Sequence, residues 1–154
     1  FVVSMQGAEE IVIPRSFKLL AEYDASIGKE GKSYILPPHE GLIQYGANDD
    51  NPDLIDWEGV IIGPQGKHTG EFLYQFHVTT SLDYPAQPPE MRFIAPKIQM
   101  DCVNDQGRVD LSRVDPPFVW NRQMNVADLL MAVRANVCQD RVARASHSLA
   151  GTSY

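Results

Sequence analysis

Cysteine, histidine and basic residues are all scarce in this chain, and long apolar runs are missing altogether. Two cysteines, Cys102 and Cys138, in 154 residues allow at most one bridge. That is too little for a disulfide framework, so a reducing compartment, cytoplasmic or nuclear, is expected. The four histidines, His39, His68, His77 and His147, are scattered without ligand spacing, and neither a metal nor a cofactor is expected. Lysine and arginine total 13 against 20 acidic residues, for a net charge of −7. Neutralising a phosphate backbone needs the opposite balance, which argues against nucleic acid as a partner. No apolar run approaches the roughly 18–20 residues of a membrane span. The opening FVVSM is apolar but short and lacks the basic start of a secretory signal. Met5 is a candidate natural start, with residues 1–4 a candidate cloning remnant.

What is present suits one globular domain: 44% hydrophobic and 21% charged residues, with no internal repeat. Residues 1–10 read as an N-terminal extension, 11–140 as the domain and 141–154 as a flexible tail. IPRSFKLLAEYDASIG predicts an amphipathic helix that Pro14 opens and Gly28 closes, with Phe17, Leu20 and Ala21 on the apolar stripe and Leu19 and Tyr23 beside it. KEGKSYILPPHE, residues 29–40, is broken by glycine and proline and reads as irregular. GLIQYG, IDWEGVIIG, FLYQFHVT and MRFIA then read as four strands joined by turn-rich segments, an antiparallel meander. An irregular region, 99–123, leads into NVADLLMAVRANV. That stretch reads as a helix capped by Asn125 and Asp128, with Val126, Leu129, Leu130, Val133 and Val137 on its apolar face. Helix, four-stranded antiparallel sheet and helix make an α+β domain.

Side chains alternate across a strand, so the faces can be assigned. Phe72, Tyr74, Phe76 and Val78 go inward with Trp57, Gly59, Ile61, Ile43 and Tyr45. Leu73, Val60 and Leu42 are then left outward, edged by Gln44 and Gln75. Isolated exposed apolar residues are commonplace, but a patch drawn from adjacent strands points to a binding surface. A register slip of one residue would erase it.

The order PRSFKLL, WEGVIIGP, then Tyr84, Pro85, Pro88 and Pro89, then RFIAPKI resembles the ubiquitin-conjugating enzymes from about Pro14 to Val137. The family's fold is thereby expected, without the long C-terminal helical extension that typical members carry. Active members have a His-Pro-Asn triplet followed by the cysteine that takes ubiquitin as a thioester. Aligned through Lys97, Ile98, Asn104 and Gly107, Cys102 stands in place of that asparagine, and Asp110 stands at the nucleophile's position. A carboxylate cannot form a thioester, and the oxyanion-supporting amide is also gone. The resemblance therefore implies a catalytically inactive conjugating-enzyme variant rather than an enzyme. A relocated nucleophile at Cys102 is the sharper alternative; a buried, inert thiol is the plainer one.

PRSFKLL, LYQF and GRVDLSRV look most like the chain-building type of variant. That type pairs with an active conjugating enzyme and holds an acceptor ubiquitin non-covalently, building chains through ubiquitin's lysine sixty-three, with DNA-damage tolerance among the pathways implied. By this resemblance Phe17 is the aromatic anchor for the partner enzyme, with Ile13, Pro14, Gln65, Lys67, His68 and Thr69 around it. Gln44, Val60 and Leu73 form the acceptor-ubiquitin surface, where strand alternation agrees independently. The alternative function is a module that binds ubiquitin or a short motif without building chains.

Overall fold

Pro14 and Gly28 bracket the first helix as their backbone preferences require. Helix α1 runs Arg15–Ser26 with Pro14 as its N-cap, and Gly28 follows in the left-handed region at φ +74°. The computed structural model of the chain describes residues 2–4, 10–28, 33–47, 50–64 and 72–154. Ahead of α1, strand β1 (Val2–Ser4) pairs antiparallel with β2 (Glu10–Val12), Val2 opposite Val12. The boundary expected between residues 10 and 11 thus falls inside β2. Strands of three residues are too short to show alternation in sequence.

The four central runs form one antiparallel sheet: β3 (Ile43–Ala47), β4 (Asp56–Ile62), β5 (Leu73–Thr79) and β6 (Glu90–Ala95), in that spatial order. The register follows the expected alternation, with Ile43 opposite Ile61, Ile61 opposite Tyr74, and Phe76 opposite Phe93. Trp57, Ile61, Tyr74, Phe76, Val78, Met91 and Phe93 are all buried on the inner face. Gly59 must lack a side chain there. A Cβ would lie 2.1 Å from the Gln44 carbonyl and 2.7 Å from the Phe76 ring. Helix α2 (Val126–Val137) covers this face with Val126, Leu129, Leu130, Val133 and Val137, every one fully buried. Asn125 and Asp128 form the reciprocal capping box expected at its start.

Helix α1 meets the core by a different face from the one its apolar spacing predicts. Phe17 and Leu20 are 63% and 49% exposed, whereas Lys18, Leu19, Glu22 and Ala25 are buried. Partners explain the reversal. The Glu22 carboxylate accepts hydrogen bonds from the Tyr84 hydroxyl at 2.7 Å and from the Val126 backbone N–H at 2.6 Å. Lys18 Nζ donates to Asn125 Oδ1 at 2.8 Å. A charge can be buried when it is hydrogen-bonded and paired, and the first turn of α2 is a favourable place for a carboxylate. Burial nevertheless pushes the Glu22 carboxyl above its usual range, offset only in part by the Tyr84 hydrogen bond and Lys18; burial also lowers Lys18.

The segment 141–154, expected to be a flexible tail, is folded. Helix α3 (Asp140–Ser146) buries Val142, Ala143 and Ser146, and a 3-10 turn follows at His147–Leu149. Tyr154 then returns to the sheet, its N–H donating to the Ile94 carbonyl at 3.0 Å. Seven helical residues give too few turns for a periodic signal, and the anchors lie far away in sequence.

Glu22→Ala is expected to lower unfolding free energy by about 3 kcal/mol, because Tyr84 and Val126 lose their common acceptor in the interior and Lys18 loses the neighbouring opposite charge. The raised carboxyl pKa fixes the sign of the pH dependence. Its contribution is full below the ordinary value of 4.5 and is lost as pH rises through the folded value. Glu22→Gln is expected to abolish that slope. Denaturation across about pH 4 to 8 measures both effects; a native-like midpoint for Glu22→Ala would contradict the role given to this carboxylate.

Candidate functional site

The segment around Cys102 folds on itself so that positions 102 and 110 become neighbours. Asn104 Oδ1 accepts from the N–H groups of Gln106 and Arg108 at 2.9 and 3.0 Å, and Gly107 turns the chain at φ +85°. The Val103–Val109 bridge and an Asp110 N–H to Cys102 carbonyl bond of 2.7 Å close the loop. A cleft of about 850 Å³ opens beside it, lined by Pro88, Pro89, Cys102, Val109, Asp110 and Arg113, among others, with no histidine among the described residues that line it.

Within this cleft neither candidate reactive group is poised for chemistry. Cys102 is 2% exposed and burial pushes its thiol up to about 11, so almost no thiolate exists near neutral pH. Asp110 faces solvent. Its Oδ1 accepts from the Ser112 hydroxyl at 2.6 Å and the Ser112 N–H at 3.0 Å, capping a 3-10 turn at Leu111–Arg113. Those hydrogen bonds hold its carboxyl below the usual range, where it is a poor proton acceptor. Among the described residues no three His, Cys, Asp or Glu side chains gather as a metal site.

The outward sheet face carries the predicted patch. Gln44 lies opposite Val60, and Val60 opposite Gln75, so the three form one cross-strand row. Leu73, 54% exposed, lies opposite Ile62 in the adjoining row, and the Ile62 N–H donates to the Leu42 carbonyl at 2.9 Å. Ile62 joins the patch although it was absent from the expected set; alternation alone already placed it outward. Beyond Gln75 the same face turns polar, through Glu58, His77 and Arg92, with His77 Nε2 3.6 Å from a Glu58 carboxylate oxygen.

The second predicted surface is in part described. Phe17 projects from α1 into solvent beside exposed Pro14 and Leu20, and Ile13 is half-buried. A ring left 63% exposed is not packing its helix onto the sheet. Gln65, Lys67, His68 and Thr69 lie outside the described residues.

Sheet, helices and cleft together define a ubiquitin-conjugating-type α+β domain. The sequence model described as Ubiquitin-conjugating enzyme matches residues 32–151, and the chain belongs to that family. Within the family it falls in the variant branch, whose members lack the catalytic activity. It is 33% identical over 135 residues to Ubiquitin-conjugating enzyme E2 variant 1C of Arabidopsis thaliana, covering 86% of each chain. It is 28% identical over 125 residues to Ubiquitin-conjugating enzyme variant MMS2 of Saccharomyces cerevisiae, covering 79% of this chain and 83% of that one. Among solved structures, human Ubiquitin-conjugating enzyme E2 G1 superposes with a TM-score of 0.63 at 30% identity, covering 82% of this chain and 97% of that one.

Cys102 should resist thiol reagents in the native state. Alkylation near pH 8 is expected to be at least about 100-fold slower than in the unfolded chain, as burial and the raised thiol pKa require. Peptide mapping distinguishes it from half-buried Cys138. Rapid native labelling of Cys102 would restore it as a candidate nucleophile.

Proposed function

We propose that this chain pairs with an active ubiquitin-conjugating enzyme and holds an acceptor ubiquitin, so that the partner's thioester is attacked by ubiquitin's lysine sixty-three. Under this reading Asp110 occupies the lost nucleophile's position and Cys102 that of the oxyanion-supporting asparagine. The observation that carries it is the pairing of two exposed apolar surfaces, Phe17 with Leu20 on α1 and Leu73 with Val60 on the sheet, in a domain whose cleft offers no poised nucleophile. Each surface suits one role. Phe17 inserts as an aromatic anchor into the partner enzyme, and the Gln44–Val60–Leu73 surface meets an apolar patch on ubiquitin. The work done is positioning. A free ubiquitin offers several lysines in random orientation, and holding it beside the thioester makes the attack effectively intramolecular. The site of action proposed is cytoplasm or nucleus.

Reconstitution with activating enzyme, a candidate conjugating enzyme and ubiquitin tests this. The expected result is no thioester on this chain alone and free chains when the partner is added, with lysine sixty-three linkage by mass spectrometry. A reducing-agent-sensitive ubiquitin adduct on the isolated chain would overturn it. Ubiquitin binding with no chain synthesis would point instead to a binding module.

The two surfaces should separate by mutation. Phe17→Ala is expected to weaken heterodimer formation by about 2 kcal/mol or more with the fold intact, read by calorimetry. Leu73→Asp is expected to abolish chain synthesis with partner affinity unchanged. Wild-type affinity in the first or wild-type synthesis in the second refutes the corresponding surface.

A further inference from the structure

Strand β6 stops short of Leu73. Its last pairing with β5 is Ala95 opposite Gln75, after a register shift, and Pro96 supplies no N–H with which to continue. Leu73, the most exposed apolar residue of the sheet, therefore has no β6 partner. The C-terminal segment borders it instead. A groove of about 380 Å³ has Leu73 and Gln75 on one side and residues 150–153 on the other, with Pro96 also lining it.

Tyr154 holds that segment in place from both ends of its side chain. Its hydroxyl donates to the Ile98 carbonyl at 3.0 Å and accepts from the Ile98 N–H at 3.1 Å, while its backbone N–H donates to the Ile94 carbonyl at 3.0 Å. The ring lies against Gly107, where a Cβ would come within 2.9 Å of two ring carbons, and the Lys97 ammonium stands 5.7 Å from the ring centroid. Thr152 Oγ1 adds an acceptor for the Lys97 N–H at 3.3 Å.

We propose that residues 150–153 form a second wall of the acceptor-ubiquitin site and that Tyr154 is the positioning residue that seats this wall. The inference rests on the reading of the outward face given above. Its occupant is the acceptor ubiquitin itself. The groove is continuous with the Leu73 patch, and among the described residues none of those that line it is charged, although the chain carries a net −7. An uncharged extension of an apolar patch fits the margin of the same apolar protein surface.

The test measures initial rates of chain formation against the concentration of free ubiquitin, with the partner enzyme pre-charged. Tyr154→Ala is expected to raise KM for acceptor ubiquitin about fivefold or more, with kcat within about twofold and partner affinity unchanged. Tyr154→Phe, which keeps the ring against Gly107, is expected to recover most of that loss. Ser153→Glu places a charge in the groove without touching the Tyr154 seat, is expected to raise KM likewise, and decides the matter alone if Tyr154→Ala fails to fold. Native KM for Tyr154→Ala and Ser153→Glu, with Leu73→Asp inactive, overturns the second wall and leaves the acceptor reading standing. Native activity for Leu73→Asp overturns the acceptor reading itself. In a titration of the 15N-labelled protein with unlabelled ubiquitin, amide shifts are expected at both Leu73 and residues 150–153; shifts confined to the sheet count against the proposal.

Discussion

The buried Glu22 carboxylate joins three segments far apart in the chain: α1, the turn at Tyr84 and the first residue of α2. Much of the architecture depends on this junction, because it settles which way α1 faces. Residues three and four apart on a helix share a side, so turning Lys18 and Glu22 inward sends Phe17 and Leu20 out. Arg15 reinforces the choice from the start of the helix, donating to the Ser81 carbonyl at 2.9 Å and to Thr80 Oγ1 at 3.0 Å. The exposed aromatic surface is therefore a consequence of a buried polar network. A helix packed by its apolar stripe would have buried Phe17 instead.

The same junction organises the proline-rich turn. Tyr84 donates to Glu22 at one end, and its ring stacks near Trp120, centroids 5.7 Å apart; Trp120 in turn donates to the Pro85 carbonyl at 2.7 Å. Asn136 of α2 exchanges hydrogen bonds with the backbone of Asp115, so the irregular stretch before α2 is tied at Asp115 as well as at Trp120. Long stretches without regular structure hold a single shape when their polar groups are satisfied in this way. One wall of the cleft beside Asp110 is built from this rigid turn, at Pro88 and Pro89.

The sheet was legible because its signal is local. Alternation in FLYQFHVT places Tyr74, Phe76 and Val78 inward and Leu73 outward, and the structure does the same. The second helix was legible for a similar reason, with Asn125, Asp128 and five apolar residues at helical spacing. The α1 face was not, because spacing ranks side chains by hydrophobicity and has no means of knowing that Glu22 will meet Tyr84 and Val126, 62 and 104 residues away. The C-terminal segment was illegible on the same grounds. Nothing within VARASHSLAGTSY shows that Tyr154 will find Ile98, 56 residues earlier. The candidate site divides along this line: Leu73, Val60 and Gln44 follow from alternation, whereas the groove beside them depends on contacts remote in sequence.

That remoteness bears on how the loop holding Cys102 and Asp110 keeps its shape. The stretch from Ile98 to Asp110 holds Cys102 and Asp110, yet its strongest ties are structural. Ile98 bonds twice to the Tyr154 hydroxyl, the Gln99 N–H donates to buried Ser146, and Gly107 leaves room for the Tyr154 ring while its carbonyl accepts from the Phe93 N–H. A side chain added at Gly107 would collide with the ring, whereas the Ile98 bonds are made by its backbone. The loop that holds Cys102 and Asp110 thus carries the C-terminal segment. The side chains of Cys102 and Asp110 take no part in those ties, since Cys102 is a small buried group and Asp110 caps the next turn. The contacts that hold the loop and the side chains at positions 102 and 110 are therefore separate, so either side chain can change without disturbing the seat of Tyr154.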